Sequence, residues 1–97
     1  MSTFSTKHVR IQGRVQGVGY RYWAATTADR LGLAGWVRNL TDGSVEALVH
    51  GPAAAVAEFV MACQAGPSHA RVTSVDALDT STFEGRGFEQ RPTASPP

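Results

Sequence analysis

Apolar and polar positions alternate from His8 to Gln16. Val9, Ile11, Gly13 and Val15 fall on one side, and His8, Arg10, Gln12, Arg14 and Gln16 on the other. This period of two predicts a strand with one face in water. Gly17-Val18-Gly19 breaks the pattern, and from Tyr20 the period becomes helical. Tyr20, Trp23, Ala24, Thr27, Ala28 and Leu31 share one face, and Gly32 supplies a C-terminal cap. A second strand is predicted over residues 33–39, followed by the hairpin signal Thr41-Asp42-Gly43. The third strand, residues 44–50, sets Val45, Ala47 and Val49 against Glu46, Leu48 and His50. Gly51-Pro52 opens a second helix with proline at its first position. Val56, Phe59, Val60 and Cys63 form its apolar stripe, and Gly66-Pro67 ends it. A fourth strand covers residues 70–79, with a bulge expected at Thr73-Ser74. Residues 80–87 read as loop and residues 88–91 as a short fifth strand.

The order βαββαβ, with a short added strand, predicts an α+β fold. The expected arrangement is a ferredoxin-like sandwich: an antiparallel sheet with two helices on one face. Residues 7–91 form the predicted domain, residues 1–6 a flexible N-terminus, and residues 92–97 a disordered Pro-rich tail. Because this fold hosts many functions, function has to be argued from a site.

Composition narrows the search. The 97 residues make one domain, and a formal net charge of +1 gives no bulk attraction for nucleic acid or an anionic membrane. Anion binding must therefore be local. Cys63 is the only cysteine, which precludes an intrachain disulfide and suits a cytoplasmic setting. Residues 1–10 carry no apolar run of the secretory type, and no stretch approaches a membrane span.

The chemistry concentrates between the first strand and first helix. In Gly13-Arg14-Val15-Gln16-Gly17-Val18-Gly19-Tyr20-Arg21, a glycine turn runs straight into a helix N-terminus. Consecutive backbone N–H groups there form an anion cradle. It is not a Walker loop, since no Gly-Lys-Ser/Thr follows. It is not a dinucleotide fingerprint, since Tyr22 stands where the third glycine belongs. Arg21 lies in the first helical turn, where the helix dipole disfavours a cation unless an anion is bound. Its guanidinium can grip phosphate oxygens in pairs. The same residues also describe a packing turn followed by an exposed arginine.

Asn39 ends the second strand just before the turn, where asparagine commonly bonds its own backbone. Beside a bound phosphate, its amide would donate to an oxygen and accept from a water. It would position that water without deprotonating it. An acyl phosphate suits such a site, because its carboxylate leaving group needs no general acid. His8, His50 and His69 have no metal-ligand spacing. Asp76 and Asp79 read as solvated charges on opposite sides of a strand. Cys63 and the two tryptophans read as core or near-core residues, with Trp36 also a candidate for one wall of the site.

These motifs resemble the acylphosphatase family. Residues 13–21 look like its first signature. Gly35-Trp36-Val37-Arg38-Asn39, with Gly43, Val45 and Gly51 at the expected spacing, resembles the second. The resemblance covers residues 7–91 and implies the ferredoxin-like fold read above. It implies that Arg21 is the catalytic, phosphate-binding arginine and that Asn39 orients the nucleophilic water. It implies that Val15, Gln16, Gly17, Val18, Gly19 and Tyr20 form the phosphate-binding loop. It further implies a cytoplasmic monomer that uses no metal and no cofactor. It also implies a small-molecule acyl phosphate as substrate, with inorganic phosphate as product and competitive inhibitor. The chain departs from the family pattern at Gly19, where many members carry cysteine, and at Leu40, where a small polar residue is common. The usual terminal aromatic is also missing. The alternatives are a non-catalytic acyl phosphate- or phosphate-binding module and an RNA-binding module. The latter needs stacking aromatics that the outward positions of the first and third strands lack.

Overall fold

The computed structural model describes residues 3–97 of the chain. The elements are β1 (Phe4–Arg14), α1 (Tyr20–Arg30), β2 (Ala34–Asn39), β3 (Val45–Pro52), α2 (Ala53–Cys63), β4 (Arg71–Asp79) and β5 (Phe88–Gln90). They form one five-stranded sheet in the order β4-β1-β3-β2-β5. Both helices cover the same face, and the core lies between them and the sheet. Val9 and Ile11 of β1, Val37 of β2 and Val45, Ala47 and Val49 of β3 meet Ala24 and Ala28 of α1 and Val56, Phe59 and Cys63 of α2. Fully burying a side chain such as Phe59 contributes about 2–3 kcal/mol.

Local signals account for the joints. α1 ends in a paired-bond cap: Leu33 N–H donates to Ala28 O at 2.9 Å and Gly32 N–H to Asp29 O at 3.1 Å, with Gly32 at φ 72°. The β2–β3 hairpin closes through Gly43 N–H to Leu40 O and Leu40 N–H to Ser44 O, and the Asp42 carboxylate accepts from Ser44 N–H and Oγ–H. Those Ser44 bonds hold the Asp42 pKa below its ordinary value, with Arg10 adding to the effect. The expected bulge lies at Thr73: the β1–β4 register passes from Gln12↔Ser74 to Gly13↔Val72. Gly13 is required there, because a Cβ would stand 2.1 Å from the Arg71 carbonyl oxygen.

Four expectations need correction. The sheet is mixed rather than wholly antiparallel, since β5 runs parallel to β2. Residues 80–87 carry the chain from the β4 edge to the opposite edge and reverse it, which aligns β5 with β2. The N-terminal segment is not all flexible: β1 begins at Phe4, with Phe4, Ser5 and Thr6 facing Pro52, Gly51 and His50, and residues 1–2 lie outside the described residues. Backbone pairing with β3 orders this polar stretch. The tail is also paired as far as Ala94. Thr41 N–H donates to Ala94 O at 2.9 Å, and Ala94 N–H to Asn39 O at 3.1 Å. Finally, Pro52 is the N-cap of α2, not its first helical residue.

Candidate active site

Val15–Gly19 join β1 to α1. Gly17 and Gly19 adopt left-handed backbone angles, φ 75° and 81°, which cost a side-chain-bearing residue roughly 1–2 kcal/mol. Gly19 is the N-cap of α1 and offers no side chain to the helix, whose first turn holds no acidic residue. The first helical bond is Trp23 N–H to Gly19 O at 3.0 Å. Among the described residues, nothing in the chain accepts from the N–H groups of Gly17–Tyr22. A row of free donors at the positive end of a helix is a ready anion site.

These donors border a cleft of about 170 Å³. Its walls are Val15, Gly17, Gly19 and Tyr20 of the loop, Arg21 and Tyr22 of α1, Asn39 of β2 and Gln90 of β5. A water occupies about 30 Å³ of liquid, so a phosphoryl group and an attacking water fit together. Arg21 is half-buried and, among the described residues, has no hydrogen bond or ion pair; the Asn39 side chain is likewise unengaged there. No carboxylate lines the cleft.

Two of the loop residues expected at the site do not line it. Gln16 turns away, and its Nε2 donates to Leu40 O and Ser44 O, both at 2.8 Å. The side chain thereby ties the loop to the hairpin that follows Asn39, a role no local pattern announces. Val18 faces an adjacent groove of about 510 Å³ with Arg14, Gly17, Ser68, His69 and Arg71. The Tyr20 side chain is buried, and its hydroxyl donates to Cys63 O at 2.6 Å. Burial, with Cys63 beside it, pushes the Tyr20 phenol far above its ordinary range, and burial pushes the Cys63 thiol up to about 12. Cys63 is therefore a packed, protonated core residue. Leu40 is buried outside the cleft, so this departure puts no side chain at the site.

The helix-free face of the sheet carries a different chemistry. Glu46 is buried, accepting from His8 Nε2 at 2.6 Å and Arg38 Nε at 2.7 Å. Burial alone would raise its pKa, but these bonds and the Arg38 charge outweigh it and lower the value. Trp36 belongs to this face, not to the core cluster, and forms no wall of the cleft. The Arg38 and Arg91 guanidinium carbons lie 4.7 and 4.9 Å from its ring centroid, and Trp36 itself is buried.

A family model described as acylphosphatase matches residues 7–90. The chain belongs to the acylphosphatase family. It is 60% identical over 93 residues to an acylphosphatase of Nitrobacter hamburgensis, covering 90% of this chain and 94% of the relative. It is 54% identical over 84 residues to one of Rhodospirillum rubrum, covering 87% and 92%. The crystal structure of acylphosphatase from Bacillus subtilis superposes with a TM-score of 0.85 at 39% identity, covering 89% of this chain and 97% of that one. The acylphosphatase fold is thus the mixed five-stranded sheet and two helices described above. Among the described residues, no helix is long and apolar enough to cross a membrane.

Proposed function

We propose that the chain hydrolyses acyl phosphates by direct attack of water on phosphorus. The observation that carries this reading is the convergence of Arg21, Asn39 and the free loop amides on one cleft. The amides of the Val15–Tyr20 loop and the Arg21 guanidinium hold the phosphoryl oxygens and gather their charge. Asn39 donates to one of those oxygens and accepts from the water, fixing its line of approach. As the water oxygen bonds to phosphorus, the bond from phosphorus to the acyl oxygen breaks and its electron pair leaves on the carboxylate. One water proton passes to a phosphoryl oxygen of the substrate. The products are a carboxylate and dihydrogen phosphate.

The leaving carboxylate needs no proton, so no general acid, metal or cofactor enters the scheme. A phosphate monoester leaves as a far more basic alkoxide and is not expected to react. Inorganic phosphate occupies the same cradle and inhibits competitively. The lone, buried Cys63 fits a cytoplasmic enzyme, and we infer that it works as a monomer.

The test is benzoyl phosphate hydrolysis followed by absorbance, in excess chelator, with Asn39→Ala alongside. Turnover is expected to survive chelation, and the variant is expected to lose at least on the order of a hundredfold in kcat while still binding inorganic phosphate. A folded wild type that turns over no faster than the variant would reject the reading.

A further inference from the structure

The chain has nine lysines and arginines. Among the described residues, five sit in ion pairs: Lys7–Asp79, Arg10–Asp42, Arg30–Glu58, Arg38–Glu46 and Arg91–Glu89. Of the four without a partner, Arg21 lines the catalytic cleft, and Arg14 and Arg71 line the groove beside it. Only Arg86, in the loop after β4, lies elsewhere. Unpaired positive charge is thus gathered around the β1–α1 loop, although the chain as a whole is nearly neutral.

Arg14 and Arg71 also break a local rule. They face each other directly in the β1–β4 register, where like charges are destabilising. Neither has a carboxylate to relieve the repulsion, and no acidic residue lines their groove. His69 and Ser68 complete its wall, adding an imidazole and a hydroxyl. A bound anion would turn the repulsion into attraction, with guanidinium groups on two strands to grip it.

The groove and the catalytic cleft meet at Gly17, which lines both. A Cβ built on Gly17 would meet nothing within 4 Å, so the passage over it is open. A substrate whose phosphoryl group lies on the loop amides has its acyl end free to cross Gly17 toward Arg14 and Arg71.

We propose that this groove is the acyl-group subsite, and that it selects acyl phosphates whose acyl chain carries a second anionic group. The proposal rests on the hydrolytic reading above and adds the substrate class. Arg71 is its most informative residue, because it lies on β4 outside the loop and is exposed.

The experiment compares kcat/KM for succinyl phosphate, which carries a terminal carboxylate, with that for benzoyl phosphate, which carries none. Wild type, Arg71→Gln and Arg71→Glu are measured at low and high salt. The ratio of the two kcat/KM values is expected to fall roughly tenfold in Arg71→Gln, the scale of one charged hydrogen bond. It should fall further in Arg71→Glu, and the wild-type ratio should shrink as salt rises. A ratio unmoved by both substitutions, with benzoyl phosphate still hydrolysed, overturns the subsite and leaves the hydrolytic reading intact. Failure of the wild type to hydrolyse either compound overturns the hydrolytic reading itself, and the subsite with it.

Discussion

In the first βαβ half, residues 15–19 separate β1 from α1. In the second, Pro52 closes β3 and Ala53 already opens α2. The two halves otherwise use one plan, a strand, a helix on the same face and a return strand with one strand left between. Neither helix has a side-chain cap, and neither has an acid in its first turn. Yet at α2 the Ala53 N–H donates to Thr3 O at 2.6 Å, and the first turn is Ala53-Ala54-Ala55-Val56. At α1 the donors have no acceptor among the described residues, and Arg21 occupies the second helical position. A helix N-terminus by itself is therefore not the site. The candidate site adds a loop long enough to turn amides outward, together with a cation and an amide at its rim.

The largest expected effect removes the cation. Arg21→Ala should lower benzoyl phosphate turnover by at least on the order of a thousandfold and weaken inorganic phosphate binding about tenfold, read by calorimetry. Ala54 holds the equivalent position in α2 and is exposed. Ala54→Arg should confer no phosphate binding on that end, and a second phosphate site appearing there would show that the loop is dispensable.

A smaller effect should follow from untying the loop. Gln16→Ala removes both donors to Leu40 O and Ser44 O. Stability should drop by about 1–2 kcal/mol, and kcat should fall roughly tenfold, since misplacement by a fraction of an ångström is costly to a positioning mechanism. An unaltered kcat would mean that the hairpin and loop keep their relation without this side chain.

The smallest effect belongs to the opposite face of the sheet. Glu46 has a lowered pKa in the fold, so its contribution is present at neutral pH. It is lost as pH falls below the ordinary value near 4.5 and through the lowered folded value. Denaturant titrations should therefore find wild type losing about 1–2 kcal/mol more than Glu46→Gln between neutrality and strong acid. Equal acid sensitivity would remove Glu46 from the account.

How much of this was legible in the chain follows from where each signal resides. The loop, Arg21 and Asn39 could be read because glycines, a helix start and a turn are local events. The bulge at Thr73 could be read for the same reason. The start of β1 at Phe4 could not: residues 4–7 are mostly polar, and their order comes from pairing with a strand more than forty positions away. Ala94 joins Asn39 and Thr41 through backbone atoms alone, which leave no mark on residue type. Gln16 bonds partners 24 and 28 residues distant, so its side chain looked like one more polar position on a strand. The surroundings of Trp36 and Glu46 could not be read either, because side chains from other strands and from beyond β5 set them. Here an aromatic ring and a carboxylate are both buried by arginines on the helix-free face.

The placing of β1 between β3 and β4 has a consequence for how the molecule is made. The strand that leads into the candidate phosphate loop is synthesised before both of its neighbours, which arrive at residues 45–52 and 71–79. Long loops must close before either pairing is rewarded. During translation β1 therefore has no sheet partner until β3 emerges, and one of its edges stays open until β4 follows. A nascent chain cut short before β4 would therefore carry both sequence signatures on a strand whose second edge is unpaired.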